Sequence, residues 1–461
     1  MIDADRDTFA LHGQPAIQLD SDGLRHPQSG RGDVQIFTRY EELTHLAASR
    51  GGLLLGTRRS AFSIARRRFV DPEGPEALLR ALLARLARRE GGSEQIRRMA
   101  EIERAGREPR PVRATWVLTA LCGAVLALQL ALGGDVVRAG EAHLALVRDG
   151  DLWRLVTGNL LHMLEFPPHF ALNMLALASI GSLVERCLGS ARSVCIMAVS
   201  GVASMLAGIQ GGSHIVIGAS GVVFGLLGAV LWLELYRSDE LPAWLRIPRR
   251  SIFWLLLVNA AVMLLPFISG AAHLGGLAAG FATTAGLCHG APVLRAEAPL
   301  WVRSLAHSLA LVCATALAIA GWDLFGRADL ALRYTQRIAS LPGVGAPVLH
   351  LRAAEVLADP GASRSELLAA LLAEERAVRA TSRKQPELLD ALAELQFRLG
   401  RTELALAAID EAIALAPADP RFRARRERIL LGELEGRALE GELPPWLPDP
   451  RDAAPPESVE I

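Results

Sequence analysis

Residues 218–228 read G-A-S-G-V-V-F-G-L-L-G, and the chain continues without a charged residue as far as Leu233. An element this apolar on every side belongs in a bilayer or a large core. Gly221, Gly225 and Gly228 recur at helical spacing and form one bare stripe on which another backbone can rest. A second stretch, A-A-H-L-G-G-L-A-A-G at 271–280, carries Gly276 and Gly280 four residues apart on one face. The two helices are expected to pack nearly backbone to backbone, with His273 near Ser220.

Outward from this pair, five more apolar segments make seven in all, running approximately over Thr115–Gly133, His169–Cys187, Val194–Ile209, Gly221–Tyr236, Ile252–Ile268, Ala271–Cys288 and Ser304–Leu324. A hydrocarbon core of about 30 Å needs roughly 20 helical residues, so each segment is a candidate membrane span and the short ones imply close packing or local thinning. The composition agrees: 461 residues, 51% hydrophobic and only 21% charged, do not suit a wholly soluble chain. Forty-nine basic residues against 49 acidic ones give zero net charge, which argues against nucleic acid as a partner. Lys384 is the one lysine among those basic residues, a bias that suggests a GC-rich bacterial genome. The five cysteines fall in apolar stretches without metal-ligand spacing. Neither a disulfide framework, a metal nor a cofactor is expected.

Arginine placement predicts the orientation. R-E-P-R-P-V-R precedes the first span, Arg186 and Arg192 follow the second, R-I-P-R-R follows the fourth, and Arg295 and Arg303 follow the sixth. These loops are then cytoplasmic by the positive-inside rule. The first ten residues lack the features of a secretory signal, so the N-terminus is expected to stay in the cytoplasm. Seven spans from that side leave the C-terminal domain periplasmic, in a bacterial inner membrane.

The ends are soluble. Residues 1–108 read as a small cytoplasmic α+β domain, with short apolar runs and then an amphipathic helix, P-E-A-L-L-R-A-L-L-A-R-L-A-R-R-E, led by Pro75. Its layout resembles the bacterial pleckstrin-homology-like modules. The arginine-rich helix could touch lipid headgroups, or it could simply present a solvated face. Within residues 328–440, Ala393, Gly400, Ala405, Ile409, Ala412 and Pro417 follow the spacing of a tetratricopeptide (TPR) helix pair, and Leu349–Ala380 could be a degenerate second unit. A lone repeat cannot bury its apolar face, so this is read as a small TPR-like interaction module with a possible protein partner. The tail at 441–461 is proline-rich, acidic and expected to be disordered.

Polar groups inside spans need a task or a partner. Ser220, flanked by Gly218 and Gly221 at a helix start, has little steric cover, and the free N–H groups of the first turn can face an oxyanion. Small-residue packing of membrane helices explains the same residues without chemistry. A histidine within hydrogen-bond reach of that serine can take its proton, the minimum arrangement for acyl transfer. No carboxylate lies at a matching depth to orient His273, so a dyad is expected. His169 and Asn173, four apart on the second span, are candidate oxyanion donors, or else interhelical structural bonds. His214, His289 and His307 suit interfacial or packing roles. Glu234 and Asp323, near span ends, are expected to reach interfacial water.

Taken in order, Trp153-Arg154, H-F-A-L-N at 169–173, E-R-C-L-G-S at 185–190, G-A-S-G at 218–221 and A-H-L-G-G-L-A-A-G at 272–280 resemble the rhomboid intramembrane serine proteases across about Arg113–Gly290. The resemblance implies an all-α polytopic membrane protein, with a six-helix catalytic core at 109–292 and a seventh transmembrane helix at 300–326. It implies Ser220 as nucleophile, His273 as base, and His169, Asn173 and the Ser220 backbone N–H at the oxyanion. It also implies Gly218, Gly221 and Phe224 as cavity support and Trp153 and Arg154 in a stabilising loop. The activity implied is intramembrane endopeptidase, cleaving transmembrane segments of membrane proteins, with membrane lipid around it. Two positions depart from the pattern: His162 is separated from His169 by E-F-P-P, and Phe224 lacks a hydroxyl. The competing reading is a non-proteolytic adaptor of the rhomboid type, binding partners through its core and its TPR-like domain.

Overall fold

The computed structural model describes residues 7–28, 31–108, 110–247, 249–263, 265, 268–290, 293, 297–326 and 329–440. The expected disordered tail at 441–461 and Arg295 lie outside the described residues. The chain divides into two compact units, one running to Leu144 and resuming over Leu152–Ala320, the other formed by Ala145–Asp151 and the chain from Gly321 onward.

Within the first unit, residues 8–107 form a small sheet-and-helix domain. Strands β1 (Thr8–Leu11), β2 (Gln14–Leu19), β3 (Gly23–Gln28) and β4 (Arg31–Arg39) make one antiparallel sheet in chain order. Strands β5 (Leu43–Ser49), β6 (Gly52–Thr57) and β7 (Ala61–Ala65) make another. Period-2 alternation turns Phe9, Leu11, Ile17 and Leu19 inward. The helix Gly74–Ala87 has Pro75 in its first turn and buries Leu78, Leu82 and Leu86, one residue per turn, in the same cluster. A second helix, Gly92–Arg107, was not expected from the sequence. Its apolar residues near the core are few, chiefly Met99 and Ile102, so no broad stripe announces it.

Four helices among the described residues are long and apolar enough to cross a membrane: Arg113–Leu132, Pro167–Leu188, Ser190–Gln210 and Leu300–Phe325. The other three expected segments are helices over Ser220–Tyr236, Arg249–Val262 and Gly270–Cys288, of 17, 14 and 19 residues. The fifth segment is therefore shorter at its C-terminal side than the apolar run to Ile268 suggested. Glu185 anchors the first of these helices. Its buried carboxylate accepts from the N–H groups of Ala114 (2.8 Å) and Thr115 (2.9 Å), and from the hydroxyls of Thr115 (2.8 Å) and Ser190 (2.6 Å). A negative group at a helix start satisfies orphan donors and suits the helix dipole.

Glu234 overturns one expectation. It is 1% exposed, ion-paired to buried Arg246 at 3.2 Å, and accepts from the Ile247 N–H at 2.8 Å. Interfacial water is not its partner; the loop that follows the Ser220 helix folds back to supply one. The N-terminal domain completes this arrangement: Arg246 donates to the Thr57 carbonyl at 2.7 Å, Ser238 to the Arg58 carbonyl at 2.8 Å, and Asp239 pairs with Arg58 and Arg98. His45, fully buried, donates from Nε2 to the Leu241 carbonyl.

Glycines set the packing of the Ser220 helix on the His273 helix. A Cβ on Gly276 would collide with the Gly221 carbonyl oxygen, one on Gly280 with that of Gly225, and one on Gly228 with that of Leu277. The same serine helix meets Ser204 at Gly221 and Ser200 at Gly225, on the helix Ser190–Gln210.

The second unit is helical: Leu330–Ser340, Ala346–Ala358, Arg364–Ala380, Pro386–Arg398, Thr402–Leu415 and Pro420–Glu440. Ser363 and Glu366 form a capping box, and Gly400, at φ +76, turns the chain between two helices. Ala393, Ala405, Ile409 and Ala412 are buried in one cluster with Leu349, Leu371 and Leu389. Buried Glu394 is held by Arg398, Arg425 and Arg428.

Two outcomes follow. Gly280→Val should lower the thermal midpoint of the detergent-purified protein, because overpacking of about 1–3 kcal/mol has no flexible side chain to absorb it; an unchanged midpoint contradicts the contact. Burial, then the charge of Arg246, holds the His45 pKa down at about 4 against an ordinary 6.5. The folded domain thus favours neutral His45, a contribution complete above pH 6.5 and lost as pH falls through about 4. That is on the order of 3 kcal/mol. Amide exchange of residues 238–247, corrected for intrinsic rates, should accelerate over that interval in the wild type and stay flat in His45→Gln.

Candidate active site

Gly218 starts the site. Its φ of +118 suits glycine, its N–H donates to the Gly158 carbonyl at 2.9 Å, and the chain then turns into the helix that begins at Ser220. The first intrahelical bond runs from the Val223 N–H to the Ala219 carbonyl at 3.1 Å, so the N–H groups of Ser220, Gly221 and Val222 precede the helical ladder. Two residues of β9 (Ile215–Val216) pair with β8 (Ala142–His143), which fixes the approach to this turn. The His214 carbonyl adds a bond from the Leu144 N–H at 3.0 Å.

His273 sits in the first turn of the facing helix. Ser269 caps that turn, accepting from the Ala272 N–H at 3.4 Å, and itself accepts from the Ser213 hydroxyl at 3.0 Å. His273 Nε2 lies 2.8 Å from Ser220 Oγ. The Phe224 ring, one turn beyond the serine, stacks on the imidazole with centroids 4.3 Å apart and planes 10° from parallel. Nδ1 of His273 has no hydrogen-bond partner among the described residues. A serine hydroxyl held against the unprotonated nitrogen of a neutral imidazole can pass its proton to that nitrogen.

His169 flanks the same turn. A Cβ on Gly218 would meet His169 Nε2 at 2.9 Å and Ser220 Oγ at 3.9 Å, so the ring edge and the hydroxyl border one point. Asn173 is buried, and its side-chain amide donates to the His169 carbonyl of its own helix at 2.9 Å. His162 lies behind: its ring packs edge-on to Phe170, with centroids 5.0 Å apart, and its main chain exchanges two bonds with Gln129. Trp153 and Arg154 stand apart from the serine. Arg154 donates to the carbonyls of Arg138 (2.7 Å) and Glu141 (3.2 Å) and lies over the Trp153 ring, holding the loop between the first two long apolar helices.

Sequence reading missed Ser213, Ser269 and Ser204. Serines at 269 and 213 look like ordinary loop residues, and only the N-cap position three residues before Ala272 hinted at one of them. Ser204 carries no local signal; it matters because Gly221 leaves room for it. Among the described residues, no cluster of His, Cys, Asp or Glu is arranged to hold a metal ion.

Comparison with known proteins converges on the same segment. Residues 149–290 match the Rhomboid domain family. The chain is similar to Rhomboid protease GluP of Bacillus subtilis, 33% identical over 153 residues that make 33% of this chain and 29% of that protein. It is also similar to RHOMBOID-like protein 1 of Arabidopsis thaliana (35% over 141 residues, 29% and 34% of the two chains) and to Putative rhomboid protease YdcA of Bacillus subtilis (31% over 141 residues, 29% and 67%). The chain spans about a third of the length of the first two of these. With a helical core of apolar segments, the matched domain and these relatives, the chain belongs to the rhomboid family.

Proposed function

We propose that the protein is an intramembrane serine endopeptidase that cuts transmembrane segments of other membrane proteins through an acyl-enzyme. The observation that carries the reading is the 2.8 Å contact of Ser220 Oγ with His273 Nε2, set among apolar helices with Phe224 stacked on the imidazole. Ser220 attacks the scissile carbonyl as its proton passes to Nε2. The resulting imidazolium returns that proton to the departing amine, leaving the acyl group on Oγ. Water, deprotonated by the same nitrogen, then releases the second product and restores the serine. The N–H of Ser220 and the His169 ring edge are the donors proposed for the tetrahedral oxyanion, with Asn173 beside them. A substrate helix must unwind to expose its peptide bond, and small, helix-weakening residues ease that step.

The seven apolar helices act as seven spans, six in a catalytic core and Leu300–Phe325 as the seventh, in a bacterial inner membrane with the N-terminus cytoplasmic. The compact unit that holds the C-terminal helices also takes in Ala145–Asp151, from the loop that leads out of β8. Seven spans that start in the cytoplasm put the C-terminal domain on the periplasmic side. Its paired helices suit a TPR-like module with a protein partner.

A single-span reporter with small residues near the outer end of its span should be cut by the detergent-purified protein. Ser220→Ala and His273→Ala should each abolish cleavage without changing the thermal midpoint. His169→Ala should lower kcat by roughly 10²- to 10³-fold. Asn173→Ala should cost less, because its amide is already bonded to the His169 carbonyl. Cleavage that survives Ser220→Ala sinks the proposal, and a folded wild type inert to every reporter shifts weight to the adaptor.

A further inference from the structure

The stretch R-E-P-R-P-V-R at 107–113 joins the helix Gly92–Arg107 to the long apolar helix Arg113–Leu132, and Arg107, Glu108 and Arg110 border a cavity of about 340 Å³. Across it stands Arg186, near the end of the helix Pro167–Leu188, with Ala105 and Leu245 as apolar lining. Glu108 is the one acidic residue of that lining against three arginines, so the cavity is positively charged. Arg110 is held in place: a terminal nitrogen donates to the Cys187 carbonyl at 3.1 Å and reaches the Arg186 carbonyl at 3.5 Å. Its guanidinium has further N–H groups to offer a ligand. Arg107 and Arg186 are exposed, and their side chains carry no ion pair among the described residues. Glu185 sets the depth of the cavity. It accepts from the N–H groups of Ala114 and Thr115, so the second long apolar helix ends level with the start of the first. In the first turn of that first helix, Trp116 and Val117 are 57% and 59% exposed. Arginines with an exposed tryptophan one turn deeper mark the boundary between headgroups and hydrocarbon.

We propose that this cavity binds the phosphate of an anionic phospholipid, with Arg107, Arg110 and Arg186 around the phosphate and the acyl chains along the exposed face that begins at Trp116 and Val117. Planar guanidinium groups pair with phosphate oxygens through two parallel hydrogen bonds. Three of them in one cavity repel each other, and a bound anion relieves that repulsion. A free phosphate ion shares the chemistry of the headgroup, but the exposed apolar turn beside the cavity gives it nothing, whereas acyl chains bury there. A zwitterionic lipid brings its own cation toward three arginines and is disfavoured. The bound phosphate would join Arg107, at the end of the N-terminal domain, to Arg186 of the membrane core. The inference rests on the two long helices crossing a bilayer and is independent of the chemistry at Ser220.

The test titrates the full chain in dodecyl maltoside with dioleoylphosphatidylglycerol, dioleoylphosphatidylcholine or inorganic phosphate. Native mass spectrometry counts the retained lipid, and the thermal midpoint is the second readout. Phosphatidylglycerol should bind saturably and raise the midpoint, while phosphatidylcholine and inorganic phosphate should do neither. Arg107→Gln combined with Arg186→Gln should weaken phosphatidylglycerol binding roughly 10- to 30-fold, the loss expected for two arginines at a membrane surface. Arg250→Gln combined with Arg303→Gln removes two exposed arginines outside the cavity and should leave binding unchanged. Equal losses in the two double variants would mean diffuse attraction to a positive surface and overturn the site. Inorganic phosphate as effective as phosphatidylglycerol overturns the lipid as its ligand, and so does a wild type that retains no phosphatidylglycerol. If the first double variant does not fold, Arg186→Gln alone decides, with a loss of roughly 5-fold expected. Neither readout passes through catalysis, so an inert Ser220 would sink the protease reading and leave this result standing.

Discussion

The close approach of two helices, Ser220–Tyr236 and Gly270–Cys288, is the constraint on which the rest of the site depends. In lipid there is little hydrophobic gain from bringing helices together, so the contact rests on van der Waals packing of backbone on backbone. Gly221, Gly225, Gly228, Gly276 and Gly280 each lie where a Cβ would strike the other helix or a neighbouring serine. The separation that results lets the first turn of one helix present His273 to the first turn of the other. Phe224 then fills the space above the imidazole and limits its rotation.

Each helix in this pair is fixed at its end by a different device. The serine helix is held at its start by Gly218 against Gly158 and by the β8–β9 ladder, and at its finish by the buried Glu234–Arg246 pair. Removing two charges from water is costly, and the pair is tolerable because the Ile247 N–H and the Thr57 carbonyl take up further hydrogen-bonding capacity. The histidine helix is held at its start by Ser269, itself braced by Ser213. Glu185 does the same for Arg113–Leu132 through four hydrogen bonds. In these places polar side chains sit at helix ends, where unpaired backbone groups need them.

Much of this was legible in the sequence where a short-range pattern encodes it. Glycine spacing at 221, 225, 228, 276 and 280 carries the helix contact, and apolar run lengths locate the helices to within a few residues. The meeting of Ser220 and His273, 53 positions apart, could be read because both glycine stripes point to it. What escaped depends on long-range geometry. Glu234 looked like an interfacial carboxylate because its partner, Arg246, lies beyond a turn that no local rule predicts. Gly92–Arg107 has too narrow an apolar stripe to stand out. The assignment of Ala145–Asp151 to the C-terminal unit has no signature in the sequence, since it arises from Leu146 and Arg337, nearly two hundred residues apart.

The most direct measurement is the mass of the covalent adduct formed when the detergent-purified protein reacts with a fluorophosphonate, followed by peptide mapping of its position. The account predicts a single adduct on Ser220 in the wild type and none in His273→Ala, whose serine keeps its place but loses its base. An adduct on any other residue, or undiminished reaction of Ser220 without His273, would contradict it.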